Sequence, residues 1–286
     1  MGMRMDLMLF PGGKGKAMTF SYDDGVVQDR RLVEIFNRYA VKGTFNLNSG
    51  LLGWQGRGEM RGRDIDISRI EAEEVPALYA GHEIGGHGLY HSALQGVGTP
   101  TAMYEIIEDR RRLEMLAGRQ VSMFAYPFGT YDKNVTEMLR LAGYAGARTV
   151  FSTGGFGIPG DFLEWNPTCH HADPTLMALA EKFCTEKPVR DPVLFYVWGH
   201  AYEFDADDNW DVMEKLCQYV TGFAEDIWFA GNTEVMNYVT AFRGLIYSAD
   251  GHLVTNPSAT NLWLRVGENC YKIPAGETTE IPDPGV

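Results

Sequence analysis

Apolar and polar positions along the chain alternate between short β-branched or aromatic runs and longer helical repeats. Ala17–Tyr22 predicts a strand, and Asp29–Val41 predicts a helix with one apolar face. Further strands are predicted at 43–48, 82–86, 123–126, 146–149, 193–198 and 226–229, and further helices at 71–80, 101–117, 132–142, 175–186, 210–223 and 233–242. These seven strand–helix units predict a parallel sheet covered by helices, either open and doubly wound or closed into a barrel.

The pattern changes after Arg243. Short strands are predicted at 245–248, 252–255, 261–266 and 270–273, separated by turns at Asp250-Gly251, Asn256-Pro257 and Gly267-Glu268. We therefore expect a barrel domain at residues 1–243 and a small β extension, packed on it, at 244–286. Within the barrel, residues 150–172 are expected to form a long loop.

Composition and charge narrow the classes of partner. The formal charge is −13 and the isoelectric point is near 5.0, so the surface should repel phosphate backbones and anionic lipid. We therefore expect neither nucleic acid nor membrane as a partner. The start of the chain lacks the features of a signal peptide, and the cysteines form no CxxC pair, so reduced thiols and a cytoplasmic location are expected. The oligomeric state is not indicated.

Polar residues that can carry chemistry stand at the predicted carboxyl ends of strands. Asp23 and Asp24 end the first strand, His87 and His91 follow the third, and His200 follows the sixth. Carboxyl ends of parallel strands converge on one rim. Two imidazoles and one carboxylate can hold a metal ion with open positions, while a second carboxylate can accept a proton and an opposed histidine can donate one. Each motif alone has a structural reading, as a turn or a buried histidine, but their coincidence on one rim favours a site.

Three sequence motifs in register resemble a known family. Thr19–Gly25, Gly81–His87 with His91, and Phe124–Gly129 look like successive signatures of the polysaccharide deacetylases, the NodB-homology enzymes of carbohydrate esterase family 4. The resemblance covers residues 15–240. It implies a distorted (β/α)7 barrel, one divalent metal ion with zinc as the first choice, and removal of N- or O-linked acetyl groups from a carbohydrate.

The same resemblance implies a role for each site residue. Asp23 would be the catalytic base and His200 the catalytic acid. The backbone N–H of Phe128 would help to stabilise the oxyanion. The metal ligands would be Asp24, His87 and His91.

The sequence departs from the family pattern in two places. Ala125 stands where the third signature usually has an arginine that orients the base. We expect Arg148 to replace it, because Arg148 ends the next strand and its planar fork can grip the carboxylate of Asp23. The fourth signature is not readable in the region of Arg148 to His171; this region, together with 198–204, resembles a branch grouped with the deacetylase-like domain of a gellan lyase.

Of the alternative interpretations, one is rejected and three stay open. A nucleotide-binding loop at Gly12–Lys16 is rejected, because it precedes a strand and has no Ser or Thr after the lysine. A catalytically silent carbohydrate-binding barrel remains the rival to an enzyme. Cys169, His170, His171 and Asp173 could form a second metal site, or the segment could be a rim loop with one histidine lining the pocket. Five aromatic residues could stack on sugars or pack in the core: Trp54, Trp165, Tyr202, Phe204 and Trp210.

Overall fold

Seven parallel strands form a curled sheet in the computed structural model, which describes residues 6–188 and 191–282. The ring strands are Lys16–Asp23, Gly43–Leu47, Glu83–Gly86, Met123–Ala125, Gly146–Arg148, Cys169–His170 and Val193–His200. The last ring strand pairs with the first over its whole length, from Val193 opposite Lys16 to His200 opposite Asp23. This is the predicted distorted (β/α)7 barrel.

The link between the fifth and sixth ring strands is made by Trp165. Its backbone forms a parallel bridge with Arg148, its N–H donates to the Ala147 carbonyl at 3.0 Å, and its carbonyl accepts from the Thr149 N–H at 3.0 Å. The extended chain then reaches Cys169, whose strand pairs with the seventh. Within the described part of the chain, no strand ladder joins the fifth and sixth ring strands, and this single bridge lies between them.

One predicted ring strand was assigned to the wrong element. The prediction at 226–229 is observed as Ile227–Phe229, but this strand pairs with the start of the first ring strand, at Lys16–Met18. The sixth place in the ring belongs to Cys169–His170, inside the segment predicted as a long loop. Two residues carry no periodicity, and their extended conformation comes from pairing with Val193–His200, which local sequence does not encode.

With the exception of one short helix, the helices lie close to their predicted positions. They span Asp29–Arg38, Val75–Leu78, Thr99–Ala117, Lys133–Leu141, Leu176–Thr185, Tyr202–Asp207, Asp211–Thr221 and Asn232–Arg243. The carboxylate of Asp132 begins one of them, since it accepts from the N–H groups of Asn134 and Val135 at 2.9 Å each. The short helix Tyr202–Asp207 and a hairpin of Arg57–Met60 with Arg63–Asp66 were not predicted.

A small β structure follows the last helix. Its strands are Ile246–Tyr247, Leu253–Thr255, Leu262–Val266, Asn269–Ile273 and Thr278–Glu280. The strand Asp6–Leu9, near the start of the chain, pairs antiparallel with Leu262–Val266. Leu262, Leu264 and Val266 are buried in one apolar cluster with residues of the helix Asn232–Arg243. The division at residues 243 and 244 stays a prediction.

The first ring strand lies at the centre of the molecule. All eight of its residues are buried, as expected for a parallel strand with packing on both faces. Phe20 and Tyr22 belong to the main core, together with Phe36 of the first helix. This packing fixes the carboxyl end of the strand, where Asp23 and Asp24 lie.

None of the helices in the described part of the chain combines the length and the apolar character that a membrane span requires.

Candidate metal and catalytic site

The predicted site residues meet at the carboxyl rim of the barrel. Asp23 ends the first ring strand and Asp24 follows it, His87 comes directly after the third, Arg148 ends the fifth, and His200 ends the seventh. Because these strands are parallel, their ends converge on one space. All five residues, and His91 with them, lie around that space.

Three side chains form a candidate metal centre. Asp24 Oδ1 lies 3.8 Å from His87 Nε2 and 3.7 Å from His91 Nε2. The three ligand atoms all lie within 4.8 Å of one another. Among the described residues, Asp24 Oδ1 and His87 Nε2 are buried without a hydrogen-bond partner, an arrangement that costs free energy unless a cation joins them. The donor set therefore fits a divalent ion.

The orientation of His87 suits a metal ligand. Its Nδ1 lies 2.7 Å from the carbonyl oxygen of Ala125, which places the proton on Nδ1 and leaves the Nε2 lone pair directed at Asp24. Burial lowers the pKa of His87, and burial with the neighbouring His87 lowers the pKa of His91 to about 4. Both imidazoles are therefore neutral near pH 7, as ligation requires.

The backbone is strained at this centre. Asp24 has φ of 85° and His91 has φ of 59°, in the left-handed region that side chains other than glycine rarely occupy. Gly25 follows with φ of 64°, and a Cβ there would lie 2.9 Å from Leu47 Cδ2. Such conformations persist where the surrounding structure enforces them, and they cluster at functional sites.

Asp23 shares the neighbourhood of His87, whose Nε2 lies 3.9 Å from Asp23 Oδ2, but its other partners differ from those of Asp24. Its Oδ1 accepts from Asn46 Nδ2 at 2.8 Å, its Oδ2 contacts the Arg148 guanidinium, and the same oxygen lies 4.0 Å from His200 Nε2. Burial by itself would raise the pKa of Asp23. The nearby positive charges, above all that of Arg148, outweigh burial and hold the pKa below its usual value. Asp23 is therefore ionised at neutral pH.

Arg148 lies where the departure from the family pattern predicted a substitute. It is fully buried, donates from Nη1 to the Thr149 carbonyl at 3.0 Å, and lies 4.3 Å from the Trp198 ring centroid. Ala125 and Arg148 are register partners on adjacent strands. The guanidinium thus reaches Asp23 from the strand next to that of Ala125, and the expected contact between Arg148 and Asp23 is present. Its catalytic role stays a prediction.

Glu203 is a site residue that sequence reasoning missed. Its Oε1 lies 3.5 Å from His200 Nδ1, and its Oε2 accepts from the His200 backbone N–H at 3.1 Å. Burial lowers the pKa of His200, but Glu203 and Asp23 outweigh burial and raise it. The available signal was an acid three residues after a candidate histidine, at the start of a helix.

His170 belongs to the hydrogen-bond network of Glu203. Its Nε2 lies 3.1 Å from Glu203 Oε2, and its Nδ1 accepts from the Ala172 N–H at 3.1 Å. A neutral ring that accepts at Nδ1 carries its proton on Nε2, so Nε2 donates to Glu203. Although His170, His200 and Glu203 lie close enough to share an ion, this proton favours a hydrogen-bond network.

The other two residues of that run are core residues. His171 is buried between the rings of Tyr22 and Phe204, with centroids 5.7 and 4.2 Å away. The Cys169 thiol is buried too, and burial raises its pKa to about 12, which disfavours a thiolate ligand.

The rim aromatics divide into two groups. Trp165, Phe204 and Trp210 are buried in the core, so packing explains them. Trp54 is 47% exposed, and the Tyr202 ring stacks on His200 at 5.2 Å. These two remain available for a ligand.

Phe128 stands beside the metal ligands. Its ring is 64% exposed and meets His91 edge-on, with centroids 4.4 Å apart. Its φ is 58°, so Phe128, like Asp24 and His91, is a non-glycine residue in the left-handed region. The part of its backbone N–H in stabilising an oxyanion stays a prediction.

The first part of the barrel sequence matches the model of a known family. Residues 11–147 match the family model named polysaccharide deacetylase. Over that range the chain is similar to the polysaccharide deacetylases, as the three motifs predicted. None of the curated proteins compared with the chain matches it.

Comparison with solved structures finds similarities at low sequence identity. A putative polysaccharide deacetylase from Mycobacterium smegmatis is 17% identical with a TM-score of 0.57, and the match covers 83% of this chain and 94% of that one. The Streptococcus pyogenes deacetylase PplD in complex with acetate is 17% identical with a TM-score of 0.44, covering 51% of this chain and 61% of that one. A family 4 carbohydrate esterase from Streptomyces lividans, also in complex with acetate, is 11% identical with a TM-score of 0.49, covering 75% and 92%. The chain thus spans less than two thirds of the Streptococcus protein, and the Mycobacterium structure supports the common fold.

Proposed function

We propose that this protein is a metal-dependent hydrolase that removes N- or O-linked acetyl groups from a carbohydrate. The observation that carries the proposal is the division of labour between two adjacent carboxylates. His87 Nε2 lies 3.8 Å from Asp24 and 3.9 Å from Asp23, so both carboxylates border this imidazole. Only Asp24 also lies near His91, whereas Asp23 contacts Arg148 and lies 4.0 Å from His200. The match to the polysaccharide deacetylase family supports the same chemistry.

Asp24, His87 and His91 would hold the ion, for which zinc is the first choice because two imidazoles and one carboxylate suit it. When bound, the ion would supply Lewis-acid polarisation of the acyl oxygen and acidify a water molecule.

Asp23 is the proposed general base. Asn46 and Arg148 each hold one of its oxygens, so the carboxylate cannot rotate freely, and Arg148 keeps it ionised. It accepts the proton of the water that attacks the acyl carbon. Arg148 acts through Asp23 and is a positioning residue.

His200 is the proposed general acid. Glu203 contacts its Nδ1, which leaves Nε2 directed towards the reacting space and Asp23. Glu203 and Asp23 raise the pKa of His200, which favours the protonated imidazole that can donate to the departing nitrogen or oxygen of the sugar. Neighbouring groups with oppositely shifted pKa values are the usual arrangement for an acid and base pair. The Phe128 N–H would assist at the oxyanion.

Acetate release tests the proposal. Zinc-loaded protein should release acetate from at least one member of a panel of N-acetylated and O-acetylated oligosaccharides, and chelation should abolish the release. Asp24→Ala should be inactive, whereas Asp64→Ala, on an exposed hairpin, should match wild type.

The same panel separates an enzyme from a silent barrel. Binding of an oligosaccharide without acetate release, at any metal loading, would contradict the enzyme and favour the carbohydrate-binding alternative.

A further inference from the structure

Arg69 lies against the turn that presents Asp24. The Val27 N–H donates to the Ser68 carbonyl, and the Ile70 N–H donates to the Gly25 carbonyl, each at 2.9 Å. Arg69 itself forms a backbone bridge with Val26. The position of Arg69 opposite Asp24 is therefore fixed by the backbone.

The Arg69 side chain directs its charge at Asp24. The side chain is 14% exposed, and Nη1 lies 3.3 Å from Asp24 Oδ2. Within the part of the chain that the structure describes, Arg69 Nε and Nη1 are buried without a hydrogen-bond partner. The contact with Asp24 is thus chiefly electrostatic, between a cation and an anion that are both poorly solvated.

The two oxygens of Asp24 face opposite kinds of group. Oδ2 meets the guanidinium of Arg69, while Oδ1 meets the two imidazoles of the metal centre. Asp23 has its own arginine in Arg148. Each of the two buried carboxylates is therefore neutralised before any metal ion enters.

We propose that Arg69 is a resident counter-ion of Asp24, which stabilises the metal-free site and weakens its affinity for the divalent ion. The inference rests on the metal site proposed above. An incoming cation must share Asp24 with a fixed positive charge a few ångströms away, and that charge is repelled by the ion. The affinity is therefore lower than the three ligands alone would give.

Arg69→Gln tests the charge, with Arg63→Gln as the matched control, since Arg63 is 49% exposed and lies on the neighbouring hairpin. Zinc dissociation constants are measured by competition with a chelator, and thermal midpoints are measured without metal. Arg69→Gln should bind zinc about tenfold more tightly, because one nearby repulsive charge is removed. Without metal, the thermal midpoint of Arg69→Gln should lie below that of wild type, and zinc should restore it. The control Arg63→Gln should resemble wild type in both measurements.

Arg69→Lys separates charge from shape. It keeps the positive charge and should retain a zinc dissociation constant close to wild type. Equal or weaker zinc binding by Arg69→Gln, or tighter binding by Arg69→Lys as well, would overturn the proposal. If Arg69→Gln fails to fold without metal, zinc should restore its folding, and failure to restore it overturns the proposal too.

Failure of the metal site itself has a different signature. In that case wild-type protein would bind no zinc, or Asp24→Ala would bind it as well as wild type.

Discussion

Replacing Arg148 by methionine isolates the charge that holds the proposed base. Methionine keeps an unbranched side chain but removes the cation from Asp23. The two side chains are 0% and 2% exposed, so water cannot easily replace the lost partner. Removing one member of a buried pair typically costs about 3–5 kcal/mol of folding free energy. We expect Arg148→Met to lose stability of that order.

The loss of turnover should be smaller than that from deleting the base. A general base contributes about 10²–10⁴-fold, and Asn46 would still hold one oxygen of Asp23 in Arg148→Met. We therefore expect a reduction near the lower end, about 10²-fold, with zinc retained. Urea denaturation, acetate release and elemental analysis on the same preparation measure the three quantities.

The sheet register offers a direct rescue. Ala125 and Arg148 are partners on adjacent strands, so their side chains point to the same face. The double variant Ala125→Arg with Arg148→Ala moves the guanidinium by one strand and should recover part of the lost turnover, whereas Arg148→Ala alone should not. Turnover of Arg148→Met near that of wild type, with zinc bound, would refute the positioning role.

Three further predictions address the ligands, the acid and base, and a buried acid outside the site. Elemental analysis should show zinc lost or much reduced in Asp24→Ala and His87→Ala; full occupancy in both would remove the assignment. Asp23→Asn should keep zinc and lose about 10²–10⁴-fold in turnover, and His200→Ala should lose most on substrates with poor leaving groups; wild-type rates would place these roles elsewhere. Burial raises the pKa of Asp29 to about 8, while Tyr79 donates to it at 2.7 Å. Stability linked to its protonated form is fully present below the ordinary pKa of 3.8 and is lost as pH rises through about 8. In Asp29→Asn, the free energy of unfolding measured by urea denaturation should fall less steeply as the pH rises. An unchanged pH dependence between pH 5 and 8 would contradict this prediction.

The sequence by itself determined the parts of this protein that depend on local pattern. Apolar periodicity located nearly all helices and six of the seven ring strands. The carboxyl ends of parallel strands predicted that Asp23, Asp24, His87 and His200 share a rim, and the family resemblance assigned Asp24, His87 and His91 as the metal ligands. Arg148 could be selected too, since the next strand along a sheet is the nearest place from which a side chain can replace the one missing at Ala125.

Only the tertiary structure decided the remainder. Cys169–His170 becomes a ring strand through its pairing with Val193–His200, and two residues are too few to show a period. Glu203 joins His200 to His170, and Arg69 meets Asp24 across a turn, through contacts between segments distant in sequence. Such contacts depend on register and on the path of loops, so they are properties of the folded barrel as a whole. Periodicity reports which face of a segment is buried, but it carries no information on which buried charge will lie opposite another.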